Sequence, residues 1–263
     1  MRVGFITPSR FKDVMTMAKG YKTKSELEAE LAQLADDQHK RQQKGSTTTQ
    51  IYIETEKRIK LLPDLIKNWS PASRFGDTAL TYAKEIALGR FGIYKPEFTA
   101  APLEHGKRFE PEARAAYEAK TGFQFPAENF RMVSNKYPFI AGESDGNIYG
   151  KDRLWGGEIK CPYNPLNHLA TLQGDEDQQE TYKWQTAGYC APWMYGWEGF
   201  TFISYHPFFP GTGNLFYQDF ERNETLEMEL ENTLVMFEYR VIRPLVLELE
   251  DLFNCKQNDQ WDF

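Results

Sequence analysis

Cysteine and histidine are scarce in this 263-residue chain: three cysteines (Cys161, Cys190, Cys255) and four histidines (His39, His105, His168, His206). No CxxC pair occurs, and three thiols cannot make an even disulfide framework. They also fall short of the four thiolates an iron–sulfur cluster usually takes. The scattered imidazoles leave no zinc-type spacing. Such thiol usage suits a reducing cytoplasm, the expected compartment. No run reaches the ~18 consecutive apolar residues of a membrane span, and MRVGFITPSR lacks the apolar stretch of a secretory leader. Acids outnumber bases, 38 to 31, for a net charge of −7. That argues against a protein that coats DNA through overall charge, and leaves room for a local basic groove. Any metal chemistry therefore rests on carboxylates.

What is present suffices for a core: 41% hydrophobic and 15% aromatic residues. The length suits a single α/β domain over 1–263, a mixed central β-sheet flanked by helices. Pro8 and Ser9 suit a helix start. In 22–44, Leu27, Leu31 and Leu34 recur at helical spacing among charges. A polar break over 45–50 and a second charged helix over 51–66 complete an N-terminal helical arm, 18–68. Helices are expected over 79–91 and 104–120, the latter stopped by Gly122. Residues 123–159 read as β-hairpins, followed by a helix over 180–189 and a strand over 199–205. C-terminal helices span 221–253, interrupted near Pro244. The tail 257–263 is expected to fray.

The chemistry concentrates in GESDGNIYGKDRLWGGEIKCP, residues 142–162. Strand alternation places Glu158 and Lys160 on one face, with Ile159 turned into the core and Cys161 on the opposite face from Lys160. A hairpin through Gly146–Asn147 brings Asp145 beside Glu158. Two carboxylates, with the Ile159 carbonyl, suit Mg²⁺ while leaving positions for water and a phosphate oxygen. Lys160 is placed to assist a water and to stabilise a crowded phosphorane-like transition state. Taken alone, such a trio is common and reads more readily as a solvent-facing ladder pair on an edge strand.

The surrounding blocks narrow the choice. Asp145…Glu158-x-Lys160 resembles the PD-(D/E)xK nuclease motif. HGKRFEPEARAAYEAKTG (105–122) is similar to a G-x-x-x-E-x-x-A-R helix, with Gly106 and Glu110 matching. ESDG followed by GGEIKCP resembles S-P-D-G…E-L-K-C-P, with Ser144 in place of Pro. Gln185-x-x-x-Tyr189 resembles the Q-x-x-x-Y element of RecB-like nucleases, and RVGFITPSRFKDV (2–14) resembles an R-x-G-x-I-T-A-S start. Together these resemble the lambda-type phage recombination exonucleases, the viral recombinase and alkaline exonuclease family with a restriction-endonuclease-like core.

The resemblance implies a 5′→3′ exonuclease acting on linear double-stranded DNA and leaving 3′ overhangs for recombination. It implies one or two Mg²⁺ ions, for which Mn²⁺ substitutes, held by Asp145, Glu158, the Ile159 carbonyl and Glu110. Gln185 joins the catalytic set; Arg2 and Ser9, with Thr7, would bind the 5′-phosphate. Tyr189, Glu143 and Asn135 are lesser candidates. Asn135 stands where the family pattern offers another carboxylate, His206 replaces the Asp of a Y-D-P element, and the Arg that follows K-C-P is absent. The resemblance further implies a ring-shaped homotrimer, a single-strand annealing partner and a phage-encoded protein in the host cytoplasm. The residues alone leave open a structure-specific or restriction-type endonuclease, and a non-catalytic DNA-end-binding module. His105 and His168 are expected to be structural.

Overall fold

The computed structural model describes residues 4–45, 49–94, 100–128 and 130–257. The chain divides into two compact units, Met1–Thr16 with Thr78–Phe263, and Met17–Asp77. In the first unit, a 3₁₀ turn (Pro8–Arg10) leads into α1 (Phe11–Met15), with Pro8 in the first turn. There its missing N–H is one the turn would leave unbonded anyway.

The second unit is built on α2 (Lys24–Gln43) and α3 (Gln50–Lys67). Thr23 caps α2 in a capping box: its hydroxyl accepts from the Glu26 N–H, and the Glu26 carboxylate accepts from the Thr23 N–H at 2.7 Å. Arg58 grips Glu30 through two hydrogen bonds of 2.8 and 3.0 Å, tying the helices together. The Arg58 hydrogen bonds, aided by Lys22, hold the Glu30 carboxyl down at about 2. Part of the expected polar break, 46–48, lies outside the described residues.

The first unit resumes with α4 (Asp77–Arg90) and α5 (Ala100–Thr121). A two-stranded antiparallel ribbon follows, β1 (Phe130–Val133) with β2 (Ala141–Ser144). The larger sheet runs β3 (Gly146–Asn147), β4 (Trp155–Lys160), β5 (Gly199–Tyr205), β6 (Leu215–Glu221), in that spatial order. It is mixed: β4 and β5 are parallel, and the other pairs antiparallel. A parallel pair needs a crossover, supplied by α6 (Pro165–Gln173) and α7 (Glu176–Cys190). Every residue of β5 is buried, as befits a central strand covered on both faces. Phe109, Ala113 and Tyr117 of α5 pack on Trp155, Ile159 and Ile203 of the sheet.

Two elements escaped the sequence reading. Helix α6 is only nine residues long, and β6, half-exposed along its length, carries polar residues that blur its alternation. The C-terminal helix also differs. After α8 (Glu224–Phe237) the chain does not break at Pro244 but passes through a π turn (Glu238–Ile242) into α9 (Arg243–Phe253). Pro244 sits in the first turn of α9, and the wider π turn lets the helical path run past its ring.

Candidate functional site

Strand β4 supplies the centre of the site. Alternation sets Glu158 and Lys160 on one face, where the Lys160 ammonium bonds the Glu158 carboxylate. Ile159, between them, joins the core cluster with Phe109 and Ile203. Asp145 follows β2 directly, and its Oδ2 accepts the Ile159 N–H at 2.6 Å. Two glycines allow this approach. Gly146 has φ +133°, and a Cβ there would lie 2.9 Å from the Glu128 carbonyl; one at Gly156 would lie 2.0 Å from the Trp197 ring.

From α5 comes Glu110, and with it Arg114, the Arg of the G-x-x-x-E-x-x-A-R pattern, which carried no assigned role. Arg114 sits one turn further on and is 6% exposed. Its Nη2 donates to Glu110 Oε1 at 2.8 Å and to the Asp145 carbonyl at 3.0 Å. Its Nη1 donates to the carbonyls of Phe125 and Pro126 at 3.2 and 2.8 Å. One guanidinium thus fixes α5 to the bend that carries Asp145. The i, i+4 spacing from Glu110 was the available signal.

The charges at this point do not balance. Burial first, then the neighbouring Glu158 carboxylate, pushes the Asp145 carboxyl up to about 7, against the opposing pull of Lys160 and the Ile159 N–H; Glu110 adds to the rise. Burial works to lower Lys160, but Glu158 and Asp145 more than offset it and hold the ammonium above its ordinary value. Glu158 is 6% exposed, and its buried Oε2 has no hydrogen-bond partner among the described residues. Three carboxylates face two cations, Lys160 and Arg114. Among the described residues no three His, Cys, Asp or Glu side chains form a ready-made metal cage. The donor set is instead hard carboxylate oxygens with surplus negative charge and one unpartnered oxygen, which fits a divalent cation that keeps several waters. Burial, then Glu110 and Asp145, push the Cys161 thiol up to about 12.

The remaining candidates are distributed as follows. Residue Arg2 lies outside the described residues. A bridge between Ile6 and Ile140, just ahead of β2, sets the Thr7–Ser9 segment beside the strand that delivers Asp145. There the Thr7 N–H donates to the Tyr82 hydroxyl at 3.0 Å, and the Thr7 and Ser9 hydroxyls are 3.4 Å apart. Gln185 is buried and donates to the Tyr189 hydroxyl at 3.5 Å; among the described residues it makes no hydrogen bond to the carboxylates. Tyr189 donates to the Glu143 carbonyl at 2.6 Å, bracing β2. The Glu143 carboxylate pairs with Arg131 at 3.3 Å. The Asn135 Nδ2 donates to the Pro192 carbonyl at 3.2 Å. His168 is fully buried between the Ser204 hydroxyl and the Gly213 carbonyl.

Residues 66–191 match the sequence model of the YqaJ-like viral recombinase domain. The matched residues make up just under half of the chain. The matched span holds Glu110, Asp145, Glu158, Lys160 and Gln185. The fold is similar to that of an alkaline exonuclease from Laribacter hongkongensis, at 19% identity and a TM-score of 0.61 over 96% of this chain and 95% of that one. The dAMP complex of that exonuclease matches at TM-score 0.60, again at 19% identity over 96% and 95%. A phage-related exonuclease from Haemophilus somnus 129PT matches at 18% identity and TM-score 0.54, over 68% of this chain and 89% of that one. These likenesses show the fold, sheets flanked by helices as in those exonuclease structures, which is consistent with the restriction-endonuclease type. No curated protein sequence matches the chain. Among the described residues no helix is long and apolar enough to cross a membrane.

Proposed function

We propose that the chain is a Mg²⁺-dependent 5′→3′ exonuclease that degrades one strand of linear double-stranded DNA from a 5′-phosphorylated end. The family and the fold of its structural neighbours support a nuclease. One observation carries the finer reading: Asp145, Glu158 and Lys160 converge with surplus negative charge and an unpartnered Glu158 oxygen. Asp145, Glu158 and the Ile159 carbonyl would hold the ion, with Glu110 close by. Bound there, it would supply Lewis-acid chemistry, acidifying water and offsetting charge on the scissile phosphate. The Ile159 N–H and Lys160 orient the two carboxylates, and Arg114 holds Glu110 and the Asp145 backbone in place. The Lys160 ammonium orients the attacking water and stabilises charge on the phosphoryl oxygens during in-line displacement. Ser9 and Thr7, with Arg2, would receive the 5′-phosphate, which makes cutting start at an end.

A ring of three copies around DNA would reconcile the net charge of −7 with DNA binding, because basic groups need only line the channel. The 3′ overhangs would pass to a single-strand annealing protein in the host cytoplasm. The test is digestion of one plasmid as a closed circle, as linear DNA with 5′-phosphates and as linear DNA with 5′-hydroxyls, in Mg²⁺ and in EDTA. The expected result is loss of linear DNA alone, faster with the phosphate and absent in EDTA. Cutting of the closed circle would point to an endonuclease. Binding to ends without cutting in Mg²⁺ or Mn²⁺ would point to a non-catalytic module.

A further inference from the structure

Segments 161–174 and 206–218 contain no Asp or Glu, in a chain that has 38. They nevertheless present large side chains to solvent: Phe208 is 78% exposed and Tyr163, three residues after Lys160, is 57% exposed. A continuous set of ring contacts joins the two. Tyr163 meets His105 edge-on at 5.5 Å, His105 packs on Phe109 at 4.7 Å, and Phe109 meets Phe208 edge-on at 6.1 Å. His206 closes the set, 5.8 Å from His105 and 5.7 Å from Phe208. Phe109 and His206 are buried, so the exposed pair stands on a packed floor. The loop that presents Phe208 is pinned: the His206 N–H bonds the Asn214 carbonyl at 2.9 Å, and His168 links Ser204 to the Gly213 carbonyl at 2.8 Å. The Arg108 guanidinium lies 5.0 Å from the Phe109 ring centre, beside the exposed Lys107.

We infer that Tyr163 and Phe208 form a stacking platform for the unpaired bases of the DNA strand that enters the carboxylate site, with Arg108 and Lys107 meeting its phosphates. The inference rests on the nuclease reading and says how that site holds a strand once it is peeled from its complement. Exposed rings offer a π-face to any base, and neighbouring cations suit the backbone. The two segments that present the rings add no acid of their own against a polyanion; the carboxylates near them, Glu104, Glu110 and Glu112, belong to α5. Held rings also lose little freedom on stacking, which favours tight contact.

The test uses the full chain with Lys160→Ala as the parent background, so that binding is read without turnover, alongside cleavage of linear duplex by the wild-type protein. The probe is a single-stranded oligonucleotide carrying 2-aminopurine near its 5′-phosphate, with an abasic version as control. The parent is expected to quench the probe, and Phe208→Ala with Tyr163→Ala to weaken binding roughly tenfold or more and abolish the quenching. Phe208→Trp should retain both, and Phe208→Leu should lose the quenching. The abasic probe should bind the parent and the double variant alike. Arg108→Gln should lower the salt dependence by about one phosphate contact without altering the quenching. Unchanged binding and quenching in the double variant, with wild-type cleavage intact, overturns the platform and leaves the nuclease reading standing. So does a parent oligomer that falls apart on Phe208→Ala with DNA binding unchanged, because the rings then pack against another copy. Failure of the wild-type protein to bind or cleave DNA overturns both.

Discussion

Arg90 and Glu238 are joined by two parallel hydrogen bonds, 2.9 and 2.7 Å long, with both side chains almost wholly buried. The remaining valences are met as well: Arg90 Nε donates to the Gly4 carbonyl at 3.2 Å, and Arg243 lies 3.3 Å from Glu238. Some distance along the chain, in the same compact unit, Glu158 is also buried but keeps one oxygen without a partner among the described residues. Its neighbour Asp145 is driven up to about 7, by burial first and by Glu158 next. The first cluster is closed: every charge has its fork and nothing more is wanted. The second is open, and a fold tolerates such an arrangement where something outside the chain completes it. Buried charge by itself therefore does not mark a functional site. Uncompensated buried charge on a strand beside a polar turn does.

Breaking each cluster separates the two cases. The largest effect is expected for Lys160→Ala, with cleavage of linear duplex falling by about 10²–10⁴-fold in a protein that still unfolds cooperatively in urea. Retention of more than a tenth of the activity would remove Lys160 from the reaction. Arg90→Met should do the reverse, since it strands the buried Glu238 carboxylate. Urea unfolding should show a loss of about 3–5 kcal/mol, most of it regained in Arg90→Met with Glu238→Leu, and cleavage at low temperature should persist. A stability within 1 kcal/mol of wild type would show that the pair is not structural.

Asp145→Asn tests the sign of the open cluster. A carboxyl whose folded value is raised carries a penalty that grows as the pH climbs from the unfolded value toward the folded one. Removing the charge while keeping an acceptor for the Ile159 N–H should stabilise the protein in EDTA at neutral pH, by about 1–2 kcal/mol, while cleavage is lost. A lower melting temperature for this variant would mean the charge is compensated after all.

The smallest effect concerns a third buried set. Burial holds His168 below the ordinary imidazole value, and burial followed by His168 and His105 does the same to His206. The neutral forms are the folded ones. Their contribution is complete above the unfolded value of ~6.5 and is lost as the pH falls through the lower folded values, by roughly 1 kcal/mol. Melting temperature should therefore drop between pH 7.5 and pH 5, and His168→Asn should flatten that drop. Equal slopes for the two proteins would place the pH response elsewhere.

Much of this was legible in the chain. Apolar spacing announced α2, α3, α4 and α5 within a few residues, because helical periodicity is a property of the segment itself. The span 199–205 coincides with β5, a buried run flanked by Gly and Pro. The face shared by Glu158 and Lys160 follows from strand alternation, whereas Gly146–Asn147, expected as a turn, form β3, and its pairing with β4 is what sets Asp145 beside the Ile159 N–H. Less visible were α6 and β6, too short or too polar at their edges to carry a clear period. The path past Pro244 was hidden as well, because a π turn leaves no compositional mark. Asn135 stands where the family pattern offers another carboxylate, and only the fold shows that its Nδ2 reaches the Pro192 carbonyl.

Sequence by itself determined where the longer helices and β5 form and which residues of β4 face the same way, since backbone periodicity acts over a few neighbouring residues. Only the tertiary structure decided that Arg114 spans from Glu110 to the Asp145 carbonyl and that Glu158 keeps an unpartnered oxygen. It alone also stood Tyr163 and Phe208 on a common floor of rings. Those facts depend on which distant side chains arrive in a low-dielectric interior and which do not. Charge balance is a sum over everything within a few ångströms, and that neighbourhood exists only once the chain has folded.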